Sequence, residues 1–108
     1  MRRSRRTNAL VIVSDHATKD YYKDTWIDGL LHYEGMGLTG DQRIEFAQNK
    51  TLNESQTNGV KVYLFEVLTK GQYTYRGEVK LIDKPYTGKQ MDINKMMRNV
   101  WIFPIKPI

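Results

Sequence analysis

At 108 residues, with 40% hydrophobic and 27% charged residues, the chain has the size and balance of one globular domain with a modest core. No apolar run approaches the roughly 18 residues of a membrane span. Cysteine is absent, which excludes a disulfide framework, a thiolate nucleophile and a cysteine zinc site. The net charge is +5, yet four of the 17 basic residues are Arg2, Arg3, Arg5 and Arg6, so that 13 basic residues face 12 acidic ones elsewhere.

Residues 1–8 read as a flexible basic arm that attracts phosphate without regard to sequence, through Arg2, Arg3, Arg5 and Arg6. Residues 9–108 read as one domain. The run from Ala9 to Ser14 is β-branched and uninterrupted, the pattern of a strand buried on both faces. Its apolar part is too short for a signal-peptide core, and a reducing cytoplasm is the expected location. A polar loop follows and ends in Tyr21-Tyr22-Lys23-Asp24-Thr25-Trp26, rich in aromatics around one acid. Asp28-Gly29 marks a turn, Leu30 to Tyr33 a short strand, and Gly35 to Gly40 a glycine-rich loop.

Ile44 to Asn58 reads as a helical region, with Asn49 or Thr51 as cap, Thr51 and Glu54 as a capping box, and Asn58-Gly59 as the stop. Val60 to Leu68 is apolar on both faces and belongs in the middle of a covered sheet. Gln72 to Ile82 alternates, with Tyr73, Tyr75, Gly77, Val79 and Leu81 on one face, and forms an antiparallel hairpin with the strand before it. Tyr86 to Met97 reads as a loop or helical turn. Asn99 to Lys106 is the last strand, and Pro104 points to an edge or bulge there. About five strands and one or two short helices make the fold mixed but mainly β, a small, partly closed β-barrel with a helix at its side.

Gly35-Met36-Gly37-Leu38-Thr39-Gly40 spells G-x-G-x-x-G after a strand, but the helix, parallel strand and distant acid of a dinucleotide site do not follow. A tight turn and a backbone cradle for phosphate remain as readings. His16 and His32 have no third ligand at metal-binding spacing, so no metal and no cofactor is expected. No nucleophile elbow or catalytic triad order is present. Glu34 and Asp41 could pair as carboxylates, and such pairs in loops also serve as caps. The aromatics around Asp24 suit either a core or a pocket for a base turned out of its stack. In such a pocket, aromatic faces recover the stacking and an acid accepts the exocyclic amine of cytosine.

Taken in order, several motifs resemble one family. They are Tyr22-Lys23-Asp24-Thr25-Trp26, His32-Tyr33-Glu34-Gly35-Met36-Gly37, Gly40-Asp41-Gln42, Asn49-Lys50-Thr51-Leu52 with Ser55, Val62 to Glu66, Tyr73-x-Tyr75-x-Gly77 and Val100 to Pro104. The series resembles the SRA-like (SET- and RING-associated, YDG-type) domain of bacterial McrA-type HNH restriction endonucleases, from about residue 9 to 106. The resemblance implies a PUA-like barrel that binds double-stranded DNA carrying a modified base, typically methylated cytosine, and flips that base into a pocket. It implies that Tyr33 stacks on the base, Tyr22 lies opposite and Asp24 accepts the amine. Trp26 and Glu34 complete the expected pocket. Gly35, Met36, Gly37, Gly40, Gln42, Arg43 and Ser55 are expected along the DNA backbone, with Met36 as a wedge.

Two departures from the family pattern stand out. Glu34 occupies a position where related sequences carry threonine, and only Leu38 and Thr39 separate the glycine loop from Gly40-Asp41-Gln42, where eukaryotic relatives insert a finger. No HNH segment lies in these residues, so the chain is expected to bind rather than cleave, fused to or cooperating with an HNH nuclease domain. A homodimer is compatible with this picture. The alternatives are an RNA-binding PUA-like module and a small nucleotide-acting enzyme using Glu34 and Asp41.

Overall fold

The computed structural model describes residues 1–17 and 24–108. The described residues form eight strands and one short helix. In chain order they are β1 (Arg2–Ser4), β2 (Ala9–Asp15), β3 (Thr25–Ile27), β4 (Leu30–Glu34), α1 (Gln48–Asn53), β5 (Lys61–Thr69), β6 (Gln72–Leu81), β7 (Tyr86–Met91) and β8 (Met97–Pro107). All strands belong to one sheet of order β1-β2-β5-β6-β8-β4-β3, with β7 also paired to β8. The β2–β5 pair is parallel and every other pair antiparallel. The mainly β, partly closed architecture read from the sequence holds, with more strands than expected.

Three strands were not foreseen. Residues 1–8 are not a free arm, because Arg2–Ser4 pairs with Ala9–Val11. Thr25–Ile27 pairs with β4 alone and is exposed throughout. Tyr86–Met91, expected as a loop or helical turn, is a strand because β8 runs past it and supplies the whole ladder from Ile102 to Met97. That strand, β8, is the long spine of the sheet. One of its edges pairs with β4, and the other pairs first with β7 and then with β6. Pro104 is therefore buried inside the sheet rather than on an edge. Its carbonyl accepts Ile82 N–H at 3.1 Å, so its missing donor faces the gap where that edge changes partner from β7 to β6.

The sheet curls around Leu10 and Ile12 of β2, Leu31 and Tyr33 of β4, Val62 and Leu64 of β5, Val79 and Leu81 of β6, and Phe103 and Ile105 of β8. The outer side of β2 is half-buried rather than buried, so the strand is covered on one face only. The alternation expected along β6 breaks midway. Leu64 pairs with Gly77 but Phe65 with Tyr75, which leaves Arg76 as an extra residue in a β-bulge. Gly77, at φ +95°, takes the conformation that the bulge requires. Beyond it Val79 and Leu81 point inward, while Tyr75 turns outward onto Tyr63 and Phe65.

The helix is only six residues long. Neither Asn49 nor Thr51 caps it; the cap position is Ala47 at φ 48°, without a side-chain hydrogen bond. Thr51 Oγ1 donates to Gln48 Oε1 instead of forming a capping box. What the helix delivers is two buried side chains: Leu52 to the core and Asn49 to the glycine loop. Asn49 accepts Met36 N–H at 2.7 Å and donates to the carbonyls of Met36 and Arg43.

Gly35 passes close to this clamp. A Cβ there would lie 2.8 Å from Asn49 Oδ1 and 3.1 Å from Phe103 Cε2, both fully buried residues. Gly35→Ala is expected to cost about 1–3 kcal/mol through overpacking, seen as a lower urea midpoint at unchanged slope. An unshifted midpoint would show that the Asn49 clamp can give way.

Candidate functional site

Among the described residues, backbone pairing does not close the sheet: the β3–β4 side and the β2–β5 side meet through side chains. The parallel register sets Ser14 of β2 beside Glu66 of β5. Both are buried, and both lie near the C-terminal ends of their strands. Ser14 Oγ donates to Asp24 Oδ2 at 2.7 Å, and Asp24 Oδ1 accepts Glu34 N–H at 2.8 Å. His16 Nε2 lies 2.7 Å from Glu66 Oε2 and 3.1 Å from Ser14 Oγ. The Trp26 indole N–H donates to the same Glu66 oxygen at 2.9 Å, and Arg76 Nε donates to the other at 2.7 Å. The bulge in β6 is what turns Arg76 toward Glu66.

The two acids of this cluster are driven apart electrostatically. Burial pushes the Asp24 carboxyl above its ordinary range, and the hydrogen bonds from Glu34 N–H and Ser14 only partly offset it. Burial also pushes Glu66 upward, but the bonds from Trp26, Arg76 and His16, with the Arg76 charge, outweigh it and hold Glu66 below the usual range. Among the described residues Glu66 accepts three hydrogen bonds, two on Oε2 and one on Oε1, whereas Asp24 accepts two, one on each oxygen.

A second polar cluster holds the glycine loop. Gln42, expected along a DNA backbone, is buried and works inside the protein. Its amide donates to the carbonyls of Gly35 at 2.8 Å and Gly37 at 3.2 Å, while its Oε1 accepts Trp101 N–H. Arg98, 3% exposed, donates from Nη1 to the Gly37 and Gly40 carbonyls. Glu34 also points here rather than toward Asp24. Its carboxylate lies 3.8 Å from Arg98 Nη2, and Gln42 Nε2 donates to it at 3.4 Å. Among the described residues, the side chain expected at a base edge is therefore a counter-charge for a buried arginine, and its backbone N–H joins the Asp24 cluster.

The remaining expected residues separate by position. Tyr22 lies outside the described residues. Tyr33 is 5% exposed, part of the core, and its hydroxyl donates to the Val13 carbonyl across the unclosed gap. Trp26 is 39% exposed beside its anchoring bond. Met36 is half-buried, with its backbone held by Asn49, a poor posture for a wedge. Arg43 is exposed and paired with Glu45. Ser55 is not at this end of the sheet: its hydroxyl donates to the Leu52 carbonyl, and it lines a groove with Val60, Glu78 and Leu81.

Arg3 braces its own turn through Ser4, Ala9 and Asn8, and Arg2 sits in β1. Arg5 and Arg6 lie in the β1–β2 turn, at the end of β2 opposite Ser14. Sequence reasoning missed Ser14, His16, Glu66, Arg76 and Arg98. Glu66 carried a usable signal, as an acid embedded in the apolar strand Val60 to Leu68.

A family model described as "ScoMcrA-like, SRA domain" matches residues 3–108. No curated protein matches the chain. Among solved structures, the sulfur-binding domain and SRA domain of ScoMcrA complexed with phosphorothioated DNA aligns at TM-score 0.75 and 22% identity, over 91% of this chain. KRYPTONITE in complex with mCHG DNA and SAH aligns at 0.63 and 22% identity over 92%. The chain spans 30% and 22% of the lengths of those two. The fold is theirs, and with the family model covering nearly every residue, the chain belongs to the ScoMcrA-like SRA domain family.

Proposed function

We propose that this domain reads double-stranded DNA carrying a modified base, with methylated cytosine as the favoured target, by turning the base out of the duplex into the gap at Asp24. The observation that carries the reading is Asp24 itself, a buried acid held by Ser14 and Glu34 N–H, with one hydrogen bond on each oxygen among the described residues. That is the group required by the exocyclic amine of cytosine. Tyr33 gives a fixed aromatic wall, and Trp26, anchored on Glu66, gives an exposed aromatic edge. Tyr22 supplies the opposing ring on the resemblance drawn from the sequence. Structural relatives bound to phosphorothioated DNA and to mCHG DNA support DNA as the partner. The chain covers a minor part of them, and we assign it the recognition step of a modification-dependent restriction system whose cleavage belongs to an HNH domain elsewhere.

Fluorescence-anisotropy titrations against a panel of duplexes test this reading. The panel holds one methylated cytosine, one hydroxymethylated cytosine, an unmodified cytosine and a phosphorothioate linkage, with an RNA hairpin alongside. The methylated duplex is expected to bind tightest. Asp24→Asn is expected to reduce its advantage over the unmodified duplex about tenfold, with little change on unmodified DNA. Equal binding to all duplexes, or tighter binding to RNA, would sink the reading.

The pH dependence has a defined sign. Asp24 is raised by burial, so the ionised acceptor disappears as pH falls, before the ordinary aspartate range is reached. Preference for the methylated duplex should fall with it, while Asp24→Asn shows no such step. This loss is not unfolding. A carboxyl raised on folding adds stability below its unfolded pKa and withdraws it as pH rises through the folded one. Glu66, held low, withdraws stability only as pH falls through its own folded pKa. Circular dichroism should therefore stay native across the pH window in which the preference is lost.

A further inference from the structure

The turn between β7 and β8 is built unlike the rest of the surface. Asp92 Oδ1 accepts the N–H groups of Asn94 at 2.8 Å and Met96 at 3.0 Å, and its backbone N–H donates to the Met96 carbonyl. The same side chain reaches out of the turn, where Oδ2 accepts Gly40 N–H at 3.1 Å. Ile93 N–H donates to the Leu38 carbonyl, and Arg98, at the foot of β8, holds the carbonyls of Gly37 and Gly40. Hairpin tip and glycine loop are thus one braced unit.

What that unit presents is apolar and basic. Ile93 and Leu38 are each 42% exposed and Met96 is 64% exposed. Lys89 and Lys95 are exposed beside them. The acid of the turn, Asp92, is buried, and the neighbouring Asp41, though exposed, accepts Asn99 N–H. Topology puts this ledge at the same end of the sheet as Asp24, because the glycine loop continues directly from Glu34, whose N–H binds Asp24.

Resting on the proposed DNA reading, we infer that Ile93 and Met96 at the hairpin tip, with Leu38 bound to Ile93 through the backbone, form the wedge that enters the duplex beside the extruded base, while Lys89 and Lys95 meet the flanking phosphates. Three features select DNA as the occupant. Unbranched and branched aliphatic side chains are the kind that slide between base steps. A wedge must be stiff to hold a step open, and the Asp92 bracing supplies the stiffness. The exposed charge around the tip is mainly positive, which suits a phosphate backbone.

The test uses the full chain with the exposed pair changed, Ile93→Ser with Met96→Ser, and separately Lys89→Ser with Lys95→Ser. Two probes are compared. One is a fully paired duplex with one methylated cytosine and a fluorescent aminopurine beside it. The other is the same duplex with an abasic site opposite that cytosine, so that the base is already loosened. The apolar variant is expected to bind the paired duplex about tenfold more weakly and to lose the aminopurine signal, but to bind the abasic duplex within about twofold of the parent. The lysine variant should weaken both probes alike and flatten the salt dependence.

Parent-like binding of the apolar variant to the paired duplex, or equal losses on both probes, would overturn the wedge and leave the base reading intact. If the parent itself shows no preference for the methylated duplex, the base reading fails and the wedge fails with it. Unchanged urea midpoints for both variants tie any loss to the contact, since these side chains are exposed.

Discussion

Everything at the working end of this domain depends on Glu66. A glutamate in the middle of an apolar strand is costly to bury unless its lone pairs are occupied. Here Trp26, His16 and Arg76 occupy them, from the β3 strand, the end of β2 and the β6 bulge. Each partner is placed by the same anion, so Glu66 organises three segments at once. The bulge at Arg76 follows from it, because regular pairing along β6 would carry the guanidinium to the outer face. Parallel pairing of β2 with β5 sets Ser14 next to Glu66 and thereby brings Asp24, bonded to Ser14, into the same cluster.

The glycine loop is the second constraint, and it solves a different problem. A loop with glycines at Gly35, Gly37 and Gly40 has little side-chain packing of its own. Its order comes from outside, from Asn49, Gln42, Arg98 and Asp92, each spending polar atoms on its backbone. Burying Arg98 for this purpose requires a counter-charge, which Glu34 supplies at 3.8 Å. Arg98 Nε and Nη2 still have no hydrogen-bond partner among the described residues, so the pair is a coulombic contact and not a bidentate bond. The Glu34 side chain is thereby accounted for by the arginine behind it.

The central strands were legible in the sequence because their patterning is driven by the core. Val60 to Leu68, the hairpin into Gln72 to Ile82, and the last strand all carry inward residues that only a covered sheet can use. What escaped notice was held by partners distant in sequence. No apolar alternation marks Arg2–Ser4 or Tyr86–Met91 as strands; their neighbours β2 and β8 make them so. The alternation of Tyr73, Tyr75, Gly77, Val79 and Leu81 was real, yet one inserted residue at Arg76 inverted half of it. In the site, Asp24 and Trp26 were visible as an acid among aromatics. Their link to Ser14 and Glu66 was not, because only the parallel register brings those two strands together, although Glu66 stood out as an acid in an apolar strand.

The two buried acids gathered by that register differ in how well their burial is compensated. Glu66 already has three internal donors, and they hold its carboxyl low. Asp24 is underserved: two hydrogen bonds do not cancel the cost of its burial, and its carboxyl stays raised. Any group that brings a further donor lowers the cost of keeping Asp24 ionised, so ligand binding and deprotonation reinforce each other. The residue sits at the gap where the sheet is joined by side chains instead of a backbone ladder, through Ser14–Asp24, Tyr33–Val13 and Trp26–Glu66. Side-chain bridges can change partner while the strands stay paired, whereas a ladder would have to part. On the proposed reading, a raised acid at a join made of side chains is suited to meet a flat polar guest, where a closed barrel of the same size would have filled that space with its own residues.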